Sequence, residues 1–154
     1  MPGLDTVRSP GDPVFDAYVA RRYDETIDRL RGAGIERVLW VACPHQSRTV
    51  GTAGMPEQYL SAREPWRVDR INGIVAELAG ARDDVDIIDL ATWVERRVDD
   101  ATLRPDGSHF EWEHDTGVAA EVTRLVDEAL RRADGPPAVL DDFLPLSSID
   151  AREP

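Results

Sequence analysis

The sequence contains no lysine, so arginine supplies all of its permanent positive side-chain charge. Its 18 basic residues are outnumbered by 30 acidic residues, and the formal net charge at pH 7 is −12. An acidic surface repels phosphate backbones, and no basic stripe interleaved with aromatic residues is present. These features argue against nucleic acid as a partner, whereas the net charge itself favours solubility.

Long apolar runs and cysteines are also scarce. No apolar run approaches the roughly 20 residues that a membrane helix needs, and residues 1–13 have neither the basic nor the apolar part of a signal peptide. The chain as written is therefore expected to be soluble and cytoplasmic, without a membrane span. Cys43 is the single cysteine, which excludes an internal disulfide and a thiolate metal cluster. Because it ends an apolar run, we expect a buried structural thiol.

Helical and extended segments alternate along the chain, whose 154 residues fit one domain. The predicted elements are a helix at 12–32, a strand at 37–43, a polar loop at 44–63, a helix at about 67–80, a strand at 86–90, a short helix at 92–98, a loop at 99–113 and a helix at about 115–133. The predicted organisation is an irregular N-terminus at 1–11, an α/β domain at 12–133 and an irregular acidic tail at 134–154.

This alternation is typical of a parallel sheet with helices on its faces. The continuous apolar run at 37–43 suits a strand buried on both faces. Only two strands are convincing, however, and two parallel strands leave open edges and little covered area. We therefore expect a partial three-layer α/β/α fold from which the N-terminal strands are absent.

Asp106 and His109 form the best candidate for chemistry. They lie in the loop before the last helix, near the strand ends where open α/β sheets form ligand sites. With Gly107 between them, the carboxylate can reach the imidazole, fix its tautomer and leave the other ring nitrogen free as a base. The alternative is an ordinary surface turn in which Asp106 caps backbone amides.

The segment Asp-Gly-Ser-His-Phe at 106–110 resembles the last conserved block of the SGNH hydrolases, also called GDSL-like lipases and esterases. Residues 11–16 and 38–44 are similar to the SGNH domain at the C-terminus of membrane-bound acyltransferases. Residues 67–79 resemble the helix before the family's penultimate strand, and residues 85–90 resemble the end of that strand. The resemblance covers about residues 11–133, and the block at 106–110 is its most specific element.

The resemblance implies a flavodoxin-like fold of parallel strands and an activity in ester hydrolysis or O-acyl transfer. It implies that Asp106 and His109 belong to a Ser-His-Asp triad, that the substrate is a small ester or an acylated carbohydrate, and that no cofactor is needed. If the domain belongs to a membrane acyltransferase, the implied location is extracytoplasmic.

The sequence also departs from the family pattern. SGNH domains begin with a Gly-Asp-Ser block that holds the nucleophile and contain a Gly-x-Asn-Asp block, and this sequence has neither. Its single asparagine, Asn72, falls on an expected helix, so no oxyanion asparagine is assigned. Ser47 is the possible substitute nucleophile, against the ordinary interpretation of a polar loop residue. We therefore expect a missing N-terminal segment or a partner chain to complete the sheet.

Further candidates lie on the same loops. His45 and Arg48 are candidate substrate contacts, with a rim residue and a solvated arginine as the ordinary alternatives. A metal site would draw on two histidines and two glutamates, namely His109, His114, Glu111 and Glu113. Their spacing matches no strong zinc pattern, so no metal is expected.

Two functional hypotheses follow. The first is an SGNH-type hydrolase segment that supplies the Asp–His pair of a triad. The second is a non-catalytic interaction module, or a degenerate fragment, that pairs its sheet edge with another chain.

Overall fold

The computed structural model describes residues 8–97, 100–111 and 117–132. Its elements, in chain order, are α1 (Pro13–Gly32), β1 (Val38–Val41), α2 (Glu57–Ala62), α3 (Pro65–Ala81), β2 (Val85–Ile88), α4 (Leu90–Glu95), α5 (Asp100–Leu103) and α6 (Val118–Arg132). This mixture of helices with a parallel sheet is compatible with a partial α/β fold.

The sheet in the described residues consists of β1 and β2. The strands pair in parallel, with Val38 opposite Val85 and Val41 opposite Ile88. Because the strands run in the same direction, the loops that follow Val41 and Ile88 begin at the same edge of the sheet. This edge, the carboxyl edge, carries the residues described below as the candidate site.

The described residues form two hydrophobic clusters. The first joins α1 to both strands and α3, through Ile27, Val38, Val85, Trp40 and Ala79. The second joins α4, α5 and α6, through Leu90, Trp93, Val94, Leu103, Phe110, Val118 and Val122. The second cluster contains the residues on either side of the Asp106–His109 segment.

The start of α1 follows from its sequence as expected. Asp12 caps the helix, and its Oδ1 accepts from the amides of Val14 at 2.8 Å and Phe15 at 3.3 Å. Pro13 occupies the first helical position, where a missing amide proton costs nothing. Further along, the buried Asp16 accepts from Arg70 Nε at 2.6 Å, which ties α1 to α3.

The burial of β1 differs from the prediction. Val41 is 39% exposed, so this strand is not buried on both faces. Cys43 is exposed as well, and its assignment as a buried thiol was wrong. Val41 and Cys43 alternate with Ala42, which is 2% exposed, so at this end of β1 one face is buried and the other is not, and an apolar run does not lead to full burial.

Short helices were also missed. The segment predicted as one loop at 44–63 contains α2, and the loop predicted at 99–113 contains α5. Helices of one or two turns owe their stability to tertiary contacts more than to their own sequence, so periodicity does not detect them. The short helix predicted at 92–98 lies at Leu90–Glu95, capped by the Asp89 carboxylate.

The last helix is amphipathic. α6 buries Ala129 and leaves Leu130 about half exposed at 51%, and Arg131 lies 3.7 Å from Asp127 on its wet face. None of the helices that the structure describes has both the length and the apolar character required to cross a bilayer.

Candidate active site

Asp106 and His109 lie on a turn whose ends are both anchored in the core. Leu103 before the turn and Phe110 after it belong to the same hydrophobic cluster. The amide of Glu111 donates to the carbonyl of Leu103 at 2.9 Å, which closes the base of the turn. The chain thus leaves and re-enters the core at neighbouring points, and the segment between projects outward.

The turn brings the carboxylate against the imidazole. Asp106 Oδ2 lies 2.6 Å from His109 Nδ1. Asp106 Oδ1 accepts from the amides of Ser108 at 2.9 Å and His109 at 2.7 Å. The Asp106 carboxylate therefore does both things that the sequence allows: it caps the backbone amides of the turn, and it contacts the imidazole ring. Since a carboxylate only accepts, the contact places a proton on Nδ1 and leaves Nε2 of a neutral ring as the basic nitrogen.

This pair faces solvent. The His109 side chain is 86% exposed and that of Asp106 is 52% exposed. The hydrogen bond from the His109 ring, followed by the amides of His109 and Ser108, holds the pKa of Asp106 well below its ordinary value of 3.8. Asp106 is therefore ionised at neutral pH, as an imidazole-orienting carboxylate must be.

Two glycines let the loop at 44–51 pack against this turn. A Cβ on Gly51 would lie 2.4 Å from the backbone of Asp106, and one on Gly107 would lie 2.5 Å from the carbonyl oxygen of Val50. Both glycines also have positive φ, at 67° and 74°. The amide of Ser47 donates to the carbonyl of Gly107 at 2.7 Å across the same contact. The two loops therefore form one interlocked unit.

Two arginines fasten this unit through backbone carbonyls. Arg63 Nη1 donates to the carbonyl of Ser47 at 2.8 Å and lies 3.4 Å from the carbonyl of Asp106. Arg104, which is only 5% exposed, donates from Nη1 to the carbonyl of His45 at 2.5 Å. Each guanidinium thus supplies a hydrogen bond to a backbone carbonyl of the loop at 44–51, which lies outside the sheet and lacks the sheet's backbone hydrogen bonds.

Asn72 fastens the start of the loop at 44–51. Its side chain is buried in α3 and binds the backbone of Cys43 on both sides: Oδ1 accepts from the Cys43 amide at 3.0 Å and Nδ2 donates to the Cys43 carbonyl at 2.8 Å. The prediction that Asn72 lies on a helix is confirmed. Its side chain fixes the chain as it leaves β1.

Ser47 lies beside the Asp106–His109 turn, yet its hydroxyl is turned into its own loop. Ser47 Oγ accepts from the amides of Val50 at 2.9 Å and Thr49 at 3.2 Å. Within the described residues, this oxygen makes no hydrogen bond to His109. A nucleophilic role for Ser47 stays a prediction, and it would require the hydroxyl to leave this turn.

His45 and Arg48 are both held by carboxylates. The ring of His45 lies between two of them, with Nε2 at 2.6 Å from Asp69 and Nδ1 at 2.9 Å from Glu95. Arg48 Nη1 lies 2.8 Å from Glu64. Substrate contact by either residue stays a prediction, and it would require the side chain to exchange one of these partners for the substrate.

The metal alternative depends on residues beyond the described ranges. Glu113 and His114 lie outside them, whereas Glu111 and His109 lie within. In residues 8–97, 100–111 and 117–132, no group of three or more potential ligands is arranged to hold an ion.

In comparisons with known proteins, no family model, no curated protein and no solved structure matches this chain.

The supporting residues were the part of the site that sequence reasoning missed. Arg63, Arg104 and Gly51 gave no signal beyond their loop positions. For Gly51 the signal in the sequence is a glycine within a long polar loop, where a left-handed backbone or a close backbone contact can require one. The roles of the two arginines depend on contacts across 16 to 59 residues of chain, which no local pattern encodes.

Proposed function

We propose that this chain supplies the Asp–His pair of an SGNH-type serine hydrolase, acting in ester hydrolysis or O-acyl transfer. The observation that carries the proposal is the 2.6 Å contact between Asp106 and His109 Nδ1, with the ring 86% exposed. An imidazole that an ionised carboxylate orients, with its second nitrogen toward solvent, matches the Asp and His of a Ser-His-Asp triad. To act, this pair needs a serine hydroxyl from another segment.

In this proposal His109 acts through Nε2. The nitrogen takes the proton of a serine hydroxyl as the serine oxygen attacks the ester carbonyl, and the leaving alcohol then receives that proton as the acyl–oxygen bond breaks. Water or an acceptor hydroxyl repeats the sequence to release the acyl group. Asp106 remains ionised throughout and stabilises the imidazolium.

We infer that the serine comes from a segment that completes a flavodoxin-like sheet, either as a missing N-terminal part or as a partner chain. Support comes from the small described sheet and from Val41 at 39% exposure on β1. Two parallel strands bury little surface alone, so added strands would gain both backbone pairing and apolar contact. The substrate class, a small ester or an acylated carbohydrate, follows from the motif resemblance alone.

A serine-reactive fluorophosphonate tests the proposal. The chain alone should remain unlabelled, and labelling should appear on a complementing segment that carries Gly-Asp-Ser and Gly-x-Asn-Asp blocks. In that complex, His109→Ala should abolish labelling and Asp106→Asn should slow turnover by about 10⁴-fold. Asp127→Asn, which removes an exposed carboxylate of α6, serves as the matched control and should change neither.

Two results would overturn the proposal. Labelling of Ser47 in the chain alone would place the nucleophile inside this sequence and remove the need for a complementing segment. Labelling of the complex that is unaffected by His109→Ala would remove His109 from the chemistry.

A non-catalytic interaction module is the second candidate, and the exposed end of β1 favours it. Such a module would add a strand from a partner to its sheet edge. It predicts a stable complex that forms equally well with His109→Ala and never reacts with the fluorophosphonate. The hydrolase proposal predicts a complex that reacts and loses that reaction on the same substitution.

A further inference from the structure

We infer that Arg63 is a positioning residue for the Asp106–His109 pair. In the described chain it joins three separate pieces of the candidate site. It follows the last residue of α2, it donates to the Ser47 carbonyl in one loop, and it reaches the Asp106 carbonyl in the other. The importance of this positioning for catalysis depends on the proposed function, whereas its effect on the imidazole does not.

The contact geometry supports this role. A single nitrogen, Nη1, serves both carbonyls, at 2.8 Å for Ser47 and 3.4 Å for Asp106. The same nitrogen would lie 3.3 Å from a Cβ on Gly107, so it sits directly against the turn. The Asp106 carbonyl belongs to the residue whose side chain orients His109. A shift of that backbone therefore moves the carboxylate relative to the ring.

At the Asp106 carbonyl, Arg63 provides a charged side-chain donor. Asp106 is half exposed, and its turn is hydrogen-bonded mostly to itself. The amide of Ser47 already links the two loops through the carbonyl of Gly107, at 2.7 Å. Arg63 adds a charged donor that reaches the Ser47 and Asp106 carbonyls, and hydrogen bonds from charged donors are the stronger ones.

The shared nitrogen gives a discriminating test. Arg63→Met removes the donor and retains an apolar stem. Arg63→Lys retains a positively charged nitrogen whose three N–H groups can still donate to both carbonyls. Arg29→Met is the matched control, because Arg29 also donates to a backbone carbonyl, that of Glu25, on the exposed side of α1. All variants are made in the full chain.

The readout is the protonation pattern of the His109 ring, from two-bond ¹H–¹⁵N correlation spectra at about pH 8, above the ordinary histidine range. Arg63→Met should convert the Nδ1-protonated tautomer into a mixture, while Arg63→Lys and Arg29→Met retain the wild-type spectrum. An unchanged spectrum in Arg63→Met overturns the inference, and so does an equal change in Arg29→Met. If Arg63→Met does not fold, Arg63→Gln provides the same comparison, because the glutamine amide is polar but lacks the positive charge that the two carbonyls share in the wild-type chain.

A second readout separates this inference from the proposed function. In a complemented, active hydrolase, Arg63→Met should lower kcat by about a hundredfold at unchanged KM, as expected for a misplaced base. A changed His109 spectrum without any measurable hydrolase activity supports the positioning role and removes the proposed function. Activity that is unchanged in Arg63→Met overturns the positioning role alone.

Discussion

The two ends of the sheet use the same residue types in opposite ways. At the amino edge, Arg82 binds three carboxylates, those of Asp24, Asp28 and Asp84, at 2.6 to 3.0 Å. At the carboxyl edge, Arg63 and Arg104 bind backbone carbonyls instead. The charge of Arg82 is therefore satisfied by carboxylates, whereas Arg63 and Arg104 hold loops beside a carboxylate–imidazole pair that faces solvent.

This difference distinguishes a structural cluster from a candidate site. The carboxylates around Arg82 raise the pKa of its guanidinium, and the guanidinium in turn lowers the pKa of Asp84. The pKa of Asp106 is lowered as well, but by an imidazole and two amides. Asp106 differs from Asp84 in that its partner is an imidazole, which can itself exchange a proton near neutral pH.

The largest expected effect concerns the interlocked glycines. Gly51→Ala should lower the free energy of unfolding by about 3 kcal/mol, because a left-handed backbone and a Cβ at 2.4 Å from the Asp106 backbone both oppose it. Gly54→Ala is the control in the same loop: its φ is also positive but a Cβ would meet nothing within 4 Å, so it should cost about 1 kcal/mol. Urea unfolding measures both. Equal losses would show that the loops do not press together.

Asn72→Ala should have the next largest effect. It removes both hydrogen bonds to the Cys43 backbone from a buried side chain, and we expect a loss of about 2 kcal/mol in unfolding free energy. Gln46→Ala, which removes an exposed amide side chain nearby in sequence, should stay within about 0.5 kcal/mol. A loss for Asn72→Ala no larger than that of its control would contradict the role assigned to Asn72.

Arg82→Gln should have a smaller effect, and one that depends on salt. We expect a loss of about 1 kcal/mol at low ionic strength, and much less in 1 M salt, because the cluster is an ion-pair network near the surface. Arg21→Gln is the control, since its single pair with Glu25 is 3.8 Å long and largely exposed. Unfolding at two salt concentrations tests this. A loss that is independent of salt would show that Arg82 acts through packing.

Protonation of Asp106 should cause the smallest of these changes in the free energy of unfolding, and this change comes from one identified group. Its pKa in the folded chain lies below the ordinary 3.8, so the contact with His109 contributes stability above that value and loses it only as the pH falls through the lower folded pKa. A titration followed by the side-chain carboxyl ¹³C shift should therefore show Asp106 still ionised at about pH 3.8. A midpoint at or above the ordinary value would contradict the described hydrogen bonds.

The fold was predictable where local chemistry decides the structure. The Asp12 cap and the apolar stripe of α3 gave the long helices, and the spacing of Asp106 and His109 across a glycine gave the pair itself. Exposure at Val41 and Cys43 was not predictable, because an apolar run does not say whether a neighbour covers it. The supports of the site were not predictable either, since Arg63 and Asn72 act on carbonyls and amides 16 to 43 residues away.

The tautomer of His109 is the most direct test of the central claim, that Asp106 holds the ring with Nε2 free to act as a base. In the full chain at about pH 8, ¹⁵N spectra should show a proton on Nδ1 and none on Nε2, and Asp106→Asn should abolish this preference. A ring protonated on Nε2, or a tautomer that does not respond to Asp106→Asn, would contradict the account.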